Sequence, residues 1–142
     1  MPPLLKNTNK NTRNIMKRKI QIEYPLNPSS SVIIWNAISS TAGLERWFAD
    51  RVTKEGKTYT FRWGKTETRQ AIVVNSRPEF FIRFHWLDDE EAKSYFELKI
   101  HYNELITDHT LEVTDFAEPG EEEDVRNLWD SQIETLKRVF GV

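Results

Sequence analysis

The sequence predicts an α+β domain. It has an antiparallel meander of six to seven strands, apolar on one face and closed over by one long C-terminal helix, with two short helices after the first strand. Three observations lead there. Residues 121–142 carry apolar side chains in steps of three and four. Residues 50–116 mostly alternate apolar and polar, with short turns between the runs. The remaining helical pattern is confined to residues 27–49, directly behind a first alternating run.

Residues 1–16 are polar and rich in Asn, Lys and Thr, with a Pro-Pro start. They read as a disordered head, with Met16 as a true or alternative start, and leave a domain over 17–142. Lys6, Lys10, Arg13, Lys17 and Arg18 are open to two readings, a solvated tail or a nucleic-acid arm. Lys19 to Leu26 alternates, with Ile20, Ile22, Tyr24 and Leu26 on one side. Asn27-Pro28 reads as a helix cap and first helical residue. The helix then runs to about Ser39 and buries Val32, Trp35 and Ile38, with Ile33 or Ile34 beside them. Thr41 caps a second helix, Ala42 to Ala49, whose apolar residues are Leu44, Trp47 and Phe48.

The pattern then switches to period two. Asp50 to Glu55 is a short strand turned by Gly56. Thr58 to Trp63 places Tyr59, Phe61 and Trp63 on one face, and Gly64-Lys65 turns the chain. Thr66 to Asn75 sets Gln70, Ile72 and Val74 together. After Arg77-Pro78, Phe80, Ile82, Phe84 and Trp86 alternate against Arg83 and His85. Asp88 to Glu91 is an acidic loop. Phe96, Leu98, Ile100 and Tyr102 form the next apolar face, and Leu111 and Val113 lie in a last strand ending near Phe116. Pro119-Gly120 breaks the chain before the final helix. Glu121 to Asp124 suit its positive end, Lys137 and Arg138 its negative end, and Gly141 its left-handed close. Its stripe is Val125, Leu128, Trp129, Ile133, Leu136, Val139 and Phe140. Burying each of these large side chains is worth roughly 1.5–3 kcal/mol, and the apolar sheet face is the surface that receives them.

Composition bounds the function. The chain of 142 residues is one domain's worth, with five Trp, eight Phe and no Cys. No disulfide framework or thiolate chemistry follows. A formal net charge of −2 argues against nucleic acid as a partner. No apolar run approaches the about 20 residues of a membrane span, and no signal-peptide pattern opens the chain. A cytoplasmic location is the default expectation.

The segments KRKIQIEYPLNPSS, GLERWFAD, RFHWLDDEE, YFELKI, VTDFAE and LWDSQIETLKRVFG carry a resemblance to the START-like (SRPBCC) superfamily, which includes the birch-pollen allergen and polyketide cyclases. It spans about Lys17 to Val142. The sequence looks most like the small single-domain bacterial START-like proteins. It is more distantly similar to the domain of heat-shock chaperone ATPase activators. The resemblance implies a helix-grip fold, a sheet curled around the last helix, and a cavity between sheet and helix that takes an apolar ligand.

The expected cavity-lining residues are Trp47, Phe61, Trp63, Phe84, Trp86, Phe96, Asp115, Trp129 and Ile133. The aromatics read equally as pocket wall or filled core. Asp115 sits where alternation points it inward, as a costly carboxylate with a raised pKa. A bulge turning Asp115 out and Phe116 in is the other reading. Gln70, Tyr24, Tyr59 or Tyr102 supply polar handles. His85, His101 and His109 are the candidates for a metal site; His85 and His101 face outward on strands that can be neighbours, but no spacing specifies a third ligand, so neither a metal nor a cofactor is expected. Three functions follow. The first is a non-enzymatic module binding a small hydrophobic or amphipathic molecule. The second is a co-chaperone-like adaptor using the sheet surface, the short helices around Trp47 or an acidic rim of Asp88 to Glu91 and Glu121 to Asp124. The third is a cyclase- or hydrolase-type enzyme using Asp115 with a tyrosine, the weakest because no acid–base pair stands at definable spacing. Either a monomer or a homodimer fits. Deleting residues 1–15 is expected to leave the thermal unfolding midpoint nearly unchanged; a large drop would show that the head is part of the fold.

Overall fold

The structure, a computed structural model, describes residues 16–142. The expectations placed on residues 1–15 lie outside the described residues. Strand β1 (Arg18–Pro25) leads to helices α1 (Ser31–Ser39) and α2 (Thr41–Leu44). Six further strands follow: β2 (Arg51–Glu55), β3 (Thr58–Trp63), β4 (Glu67–Arg77), β5 (Phe81–Trp86), β6 (Phe96–Asn103) and β7 (Asp108–Ala117). The last helix is α3 (Glu122–Phe140). The seven strands make one sheet in the order β1-β7-β6-β5-β4-β3-β2. Every neighbouring pair is antiparallel. The sheet edges are therefore β1 and β2. This is the predicted helix-grip arrangement, with α3 laid along the apolar face.

The expected caps of α3 are present at one end. Gly141 takes φ 69° and both it and Val142 return their N–H groups to the Lys137 carbonyl. Glu121 precedes the helix without a side-chain cap bond, and Glu122, Glu123 and Asp124 fill the first turn. The buried stripe is Val125, Trp129, Gln132, Ile133 and Leu136. Gln132 is the polar member that apolar periodicity passes over.

The start of α1 differs from expectation. Leu26 still donates to the His109 carbonyl at 3.0 Å, so the pairing with β7 outlasts β1 and carries the chain past Asn27-Pro28 before a helix begins. Ser30 is the cap, its Oγ accepting from Val32 N at 3.1 Å. The later start turns Ile34, Ala37 and Ile38 inward and leaves Val32 51% exposed, with Trp35 only half-buried. Ser40, rather than Thr41, caps α2 by accepting from Gly43 N at 2.9 Å. That helix ends at Leu44, so Trp47 and Phe48 enter the core from turns.

Strand β4 is also displaced from its predicted phase. Its inward residues are Arg69, Ala71 and Val73, whereas Gln70 faces out beside Thr60 and Val74 is exposed. Ala71 pairs with Tyr59 on one side and Trp86 on the other. A small side chain there makes room for both rings, a volume requirement that overrides the greater apolarity of Ile72 and Val74. The register then shifts between Val73 and Asn75.

Glycine has a definite reason at residue 43. A Cβ there would stand 2.0 Å from the Asn36 carbonyl oxygen and 2.9 Å from Ala37 Cα, so α2 can fold against α1 only without a side chain. Gly43→Ala is expected to cost about 2–4 kcal/mol in urea unfolding. A loss under about 0.5 kcal/mol would show that the two helices separate without consequence.

Candidate functional site

The sheet and α3 enclose a cluster of rings. Phe48 is its hub, with ring centres 5.4 Å from Trp47, 5.0 Å from Phe61, 6.0 Å from Trp63 and 5.8 Å from Phe96. Trp86 lies 6.5 Å away and Trp129 6.1 Å. Phe84 stacks on Phe96 at 4.8 Å. Trp47, Phe61, Trp63, Phe84, Trp86, Phe96, Trp129 and Ile133 are thus brought together, all buried in one core. Polar tips are satisfied locally. Trp47 Nε1 donates to the Ala37 carbonyl at 2.7 Å and Trp63 Nε1 to the Phe48 carbonyl at 2.9 Å. Tyr59 OH donates to the Ser39 carbonyl at 2.6 Å. The Trp47 side chain is inside, so a partner meeting the short helices would touch their outer faces and not that ring.

Asp115 points inward, as strict alternation requires, and no bulge turns it out. Its Oδ2 accepts from Trp129 Nε1 at 2.8 Å and its Oδ1 from Phe116 N at 2.7 Å. Desolvation raises its pKa from 3.8 to about 6, against the pull of those two hydrogen bonds and of Lys17 and Arg69. The nearby Arg69 was not singled out by the sequence. Its guanidinium lies 3.9 Å from the Trp86 ring centre and donates from Nε and Nη2 to Asp88 at 2.8 and 2.7 Å. Lys17 Nζ binds Asp89 at 2.9 Å. Half of the expected acidic loop is thus engaged in ion pairs with residues of the fold. Tyr24 and Tyr59 do not meet Asp115: Tyr24 OH donates to Asp130 Oδ1 at 2.7 Å. Burial, then the Asp130 carboxylate, raises the Tyr24 pKa.

Open recesses border other parts of the fold. A recess of about 930 Å³ opens where the sheet extends past the helices, between the first turn of α1 and the ends of β5, β6 and β7. Phe80, Ile100, Tyr102 and His109 give it rings and an aliphatic wall, while Ser29, Ser30, Ser31, Glu79 and Glu104 give it polar groups. A second recess, about 420 Å³, lies between β1 and α3 and includes Tyr24, Ile133 and Val142. Of the expected cavity-lining residues, only Ile133 borders either space. Of the expected handles, Tyr102 reaches the larger recess and Tyr24 the smaller, while Gln70 reaches neither. His85 Nδ1 is 2.8 Å from the Ser94 carbonyl oxygen, and His101 Nε2 is 3.7 Å from Glu112. His109, weighed from the sequence only as one of three histidines for a metal, borders the larger recess instead. It continues the inward series Leu111, Val113 and Asp115 in steps of two, and that periodicity was the available signal.

Residues 15–142 match the family model described as a START-like superfamily domain. The solution structure of a Bacteroides fragilis protein is similar at 56% identity and TM-score 0.64, covering 87% of this chain and 90% of that one. The solution structure of the Aha1 dimer from Colwellia psychrerythraea matches at 14% identity and TM-score 0.73, over 87% and 96% of the two chains. CalU16 from Micromonospora echinospora matches at 16% identity and TM-score 0.69, over 87% and 76%. The last two likenesses are of fold alone. No curated protein matches the chain.

The Asp115 carboxyl has a pH signature. It keeps its proton up to about pH 6 when folded and up to 3.8 by default. The folded chain therefore holds the extra proton between those values. Its contribution favours the fold at low pH and is lost as pH rises through 6. Asp115→Asn lacks that slope. The native chain's stability relative to the variant should be greater at pH 4 than at pH 7, by up to about 3 kcal/mol in urea unfolding. An equal difference at both pH values would mean that the carboxyl is not desolvated.

Proposed function

The chain belongs to the START-like superfamily, and from that premise we propose that it is a non-enzymatic module holding a small hydrophobic or amphipathic molecule. The carrying observation is the 930 Å³ recess and the way the core surfaces in it. Ile100 belongs both to the recess wall and to the buried cluster that contains Phe84, Phe96 and Trp129. A ligand's apolar part rests there, driven by removal of apolar surface from water, and the surrounding hydroxyls and imidazoles orient its polar part. In this reading Trp47, Phe61, Trp63, Phe84, Trp86, Phe96 and Trp129 form the rigid floor behind the ligand. Asp115 and Ile133 serve the far side of the core. Cytoplasmic residence, and action as a monomer or homodimer, belong to the same reading; the Colwellia relative was solved as a dimer.

A second reading, a protein-interaction adaptor, has one observation in its favour. The turn between β6 and β7 carries Leu105 at 95% exposure and Ile106 at 61%, aliphatic bulk that a partner would cover.

The neutral dye Nile red is expected to bind and brighten with the full chain. Ser29→Trp places bulk in the recess mouth and should weaken that binding about tenfold without changing the unfolding midpoint. Undiminished dye binding by the variant would move the site away from the recess. No dye binding by either protein, together with a partner captured through Leu105 and Ile106, would favour the adaptor.

A further inference from the structure

Resting on the proposed ligand-binding role of the same recess, we propose that its ligand is an amine: a cationic ammonium group carried on an apolar body. Among the described residues, the recess is lined by two carboxylates, Glu79 and Glu104, and by no Lys or Arg. Glu79 stands in the left-handed region at φ 67°, a conformation that costs free energy for a residue with a Cβ. Its carboxylate accepts from Ser31 Oγ at 3.3 Å, which holds it at the α1 side of the recess. His109 supplies an independent observation. It lines the recess, is only 6% exposed, and its Nδ1 has no hydrogen-bond partner among the described residues. A buried imidazole nitrogen without a partner is costly; Nδ1 is closed to solvent, so a ligand N–H donates to it once the ring turns toward the recess. The Tyr102 ring lies 4.9 Å from that imidazole, so the polar group is met beside an aromatic face that attracts cations.

An anionic head group is disfavoured by the same geometry. The first turn of α1 borders the recess, but its early N–H groups are taken. Val32 N donates to Ser30 Oγ at 3.1 Å, and Ile33 N and Ile34 N to the Ser30 carbonyl at 3.1 and 3.3 Å. An anion entering there would find Glu79 already docked and Glu104 nearby. A cation gains from both carboxylates, while its apolar body covers Ile100 and Phe80.

The test is an amide-resolved NMR titration of the full chain with decylamine, decanol and decanoate, which share one apolar chain and differ in charge. Decylamine is expected to shift Ile100, Tyr102 and His109 and to bind at least about tenfold more tightly than decanoate. Glu79→Gln and Glu104→Gln should each weaken decylamine by about threefold or more and leave decanol unchanged. Both carboxylates are exposed, so the variants should keep the native spectrum. Added salt should weaken decylamine alone, giving the same readout on the unaltered chain. Decanoate or decanol binding as tightly as decylamine would overturn the amine assignment while keeping the recess as a ligand site. Decylamine affinity indifferent to salt and to both variants would do the same. Failure of all three compounds to bind would overturn the ligand-binding reading itself.

Discussion

The structure depends on one ring being in one place. Phe48 sits between the sheet and α3 and touches rings from β3, β5, β6 and the helix. It gets there because Gly43 lets α2 close against α1 and the chain then turns inward. Donor groups on the surrounding aromatics fix the joint by reaching the carbonyls of Ala37, Ser39 and Phe48. Edge and stacked ring contacts contribute about 0.5–1.5 kcal/mol each beyond burial. The interior that the family resemblance marks as a ligand cavity is therefore occupied by the protein's own rings. An open recess lies where the concave face runs beyond the helices, at Ile100, Tyr102 and His109.

Much of this was legible in the sequence, and the failures have physical causes. The stripe of α3, its closing Gly141 and the sharp turns at Gly56 and Gly64 carry local signals that tertiary contacts reinforce. Strand β4 was misread because periodicity weighs apolarity and ignores size. Ile72 and Val74 look more buried than Arg69 and Ala71, yet the small Ala71 is the residue paired with both Tyr59 and Trp86, and Arg69 is met by Asp88 from the loop after β5. The start of α1 was misplaced because Asn27-Pro28 is a valid local cap, overruled by pairing with a strand more than eighty residues away. Alternation placed Asp115 on the inner face, but its partner Trp129 lies on another element, and no spacing rule connects them. The recess was not legible at all. It arises from where α1 begins relative to the strand ends, a difference in length between layers.

Charge is managed in the same economical way. The outer face of β6 buries Glu97, which receives Arg83 Nε at 2.7 Å, while the Arg83 guanidinium covers the Tyr95 ring at 4.0 Å. Tyr95 in turn meets Phe116 at 5.0 Å. The loop after β5 hands Asp88 to Arg69 and Asp89 to Lys17, so it closes the end of the sheet above Trp86. What reads in one dimension as an acidic patch is, in three, a set of clasps between strand ends.

The two sheet margins have a consequence for colloidal behaviour. Among the described residues, an open sheet leaves β1 and β2 each with one side that no other strand occupies, a template on which further copies could stack. Strand β2 is only five residues long and shows Arg51, Thr53, Lys54 and Glu55 to water. On β1, Arg18 and Lys19 crowd one end and Pro25, which lacks a donor, ends the other. Ribbon growth along the hydrogen-bonding direction would have to align like charges and tolerate a missing N–H, so these rims discourage fibril formation.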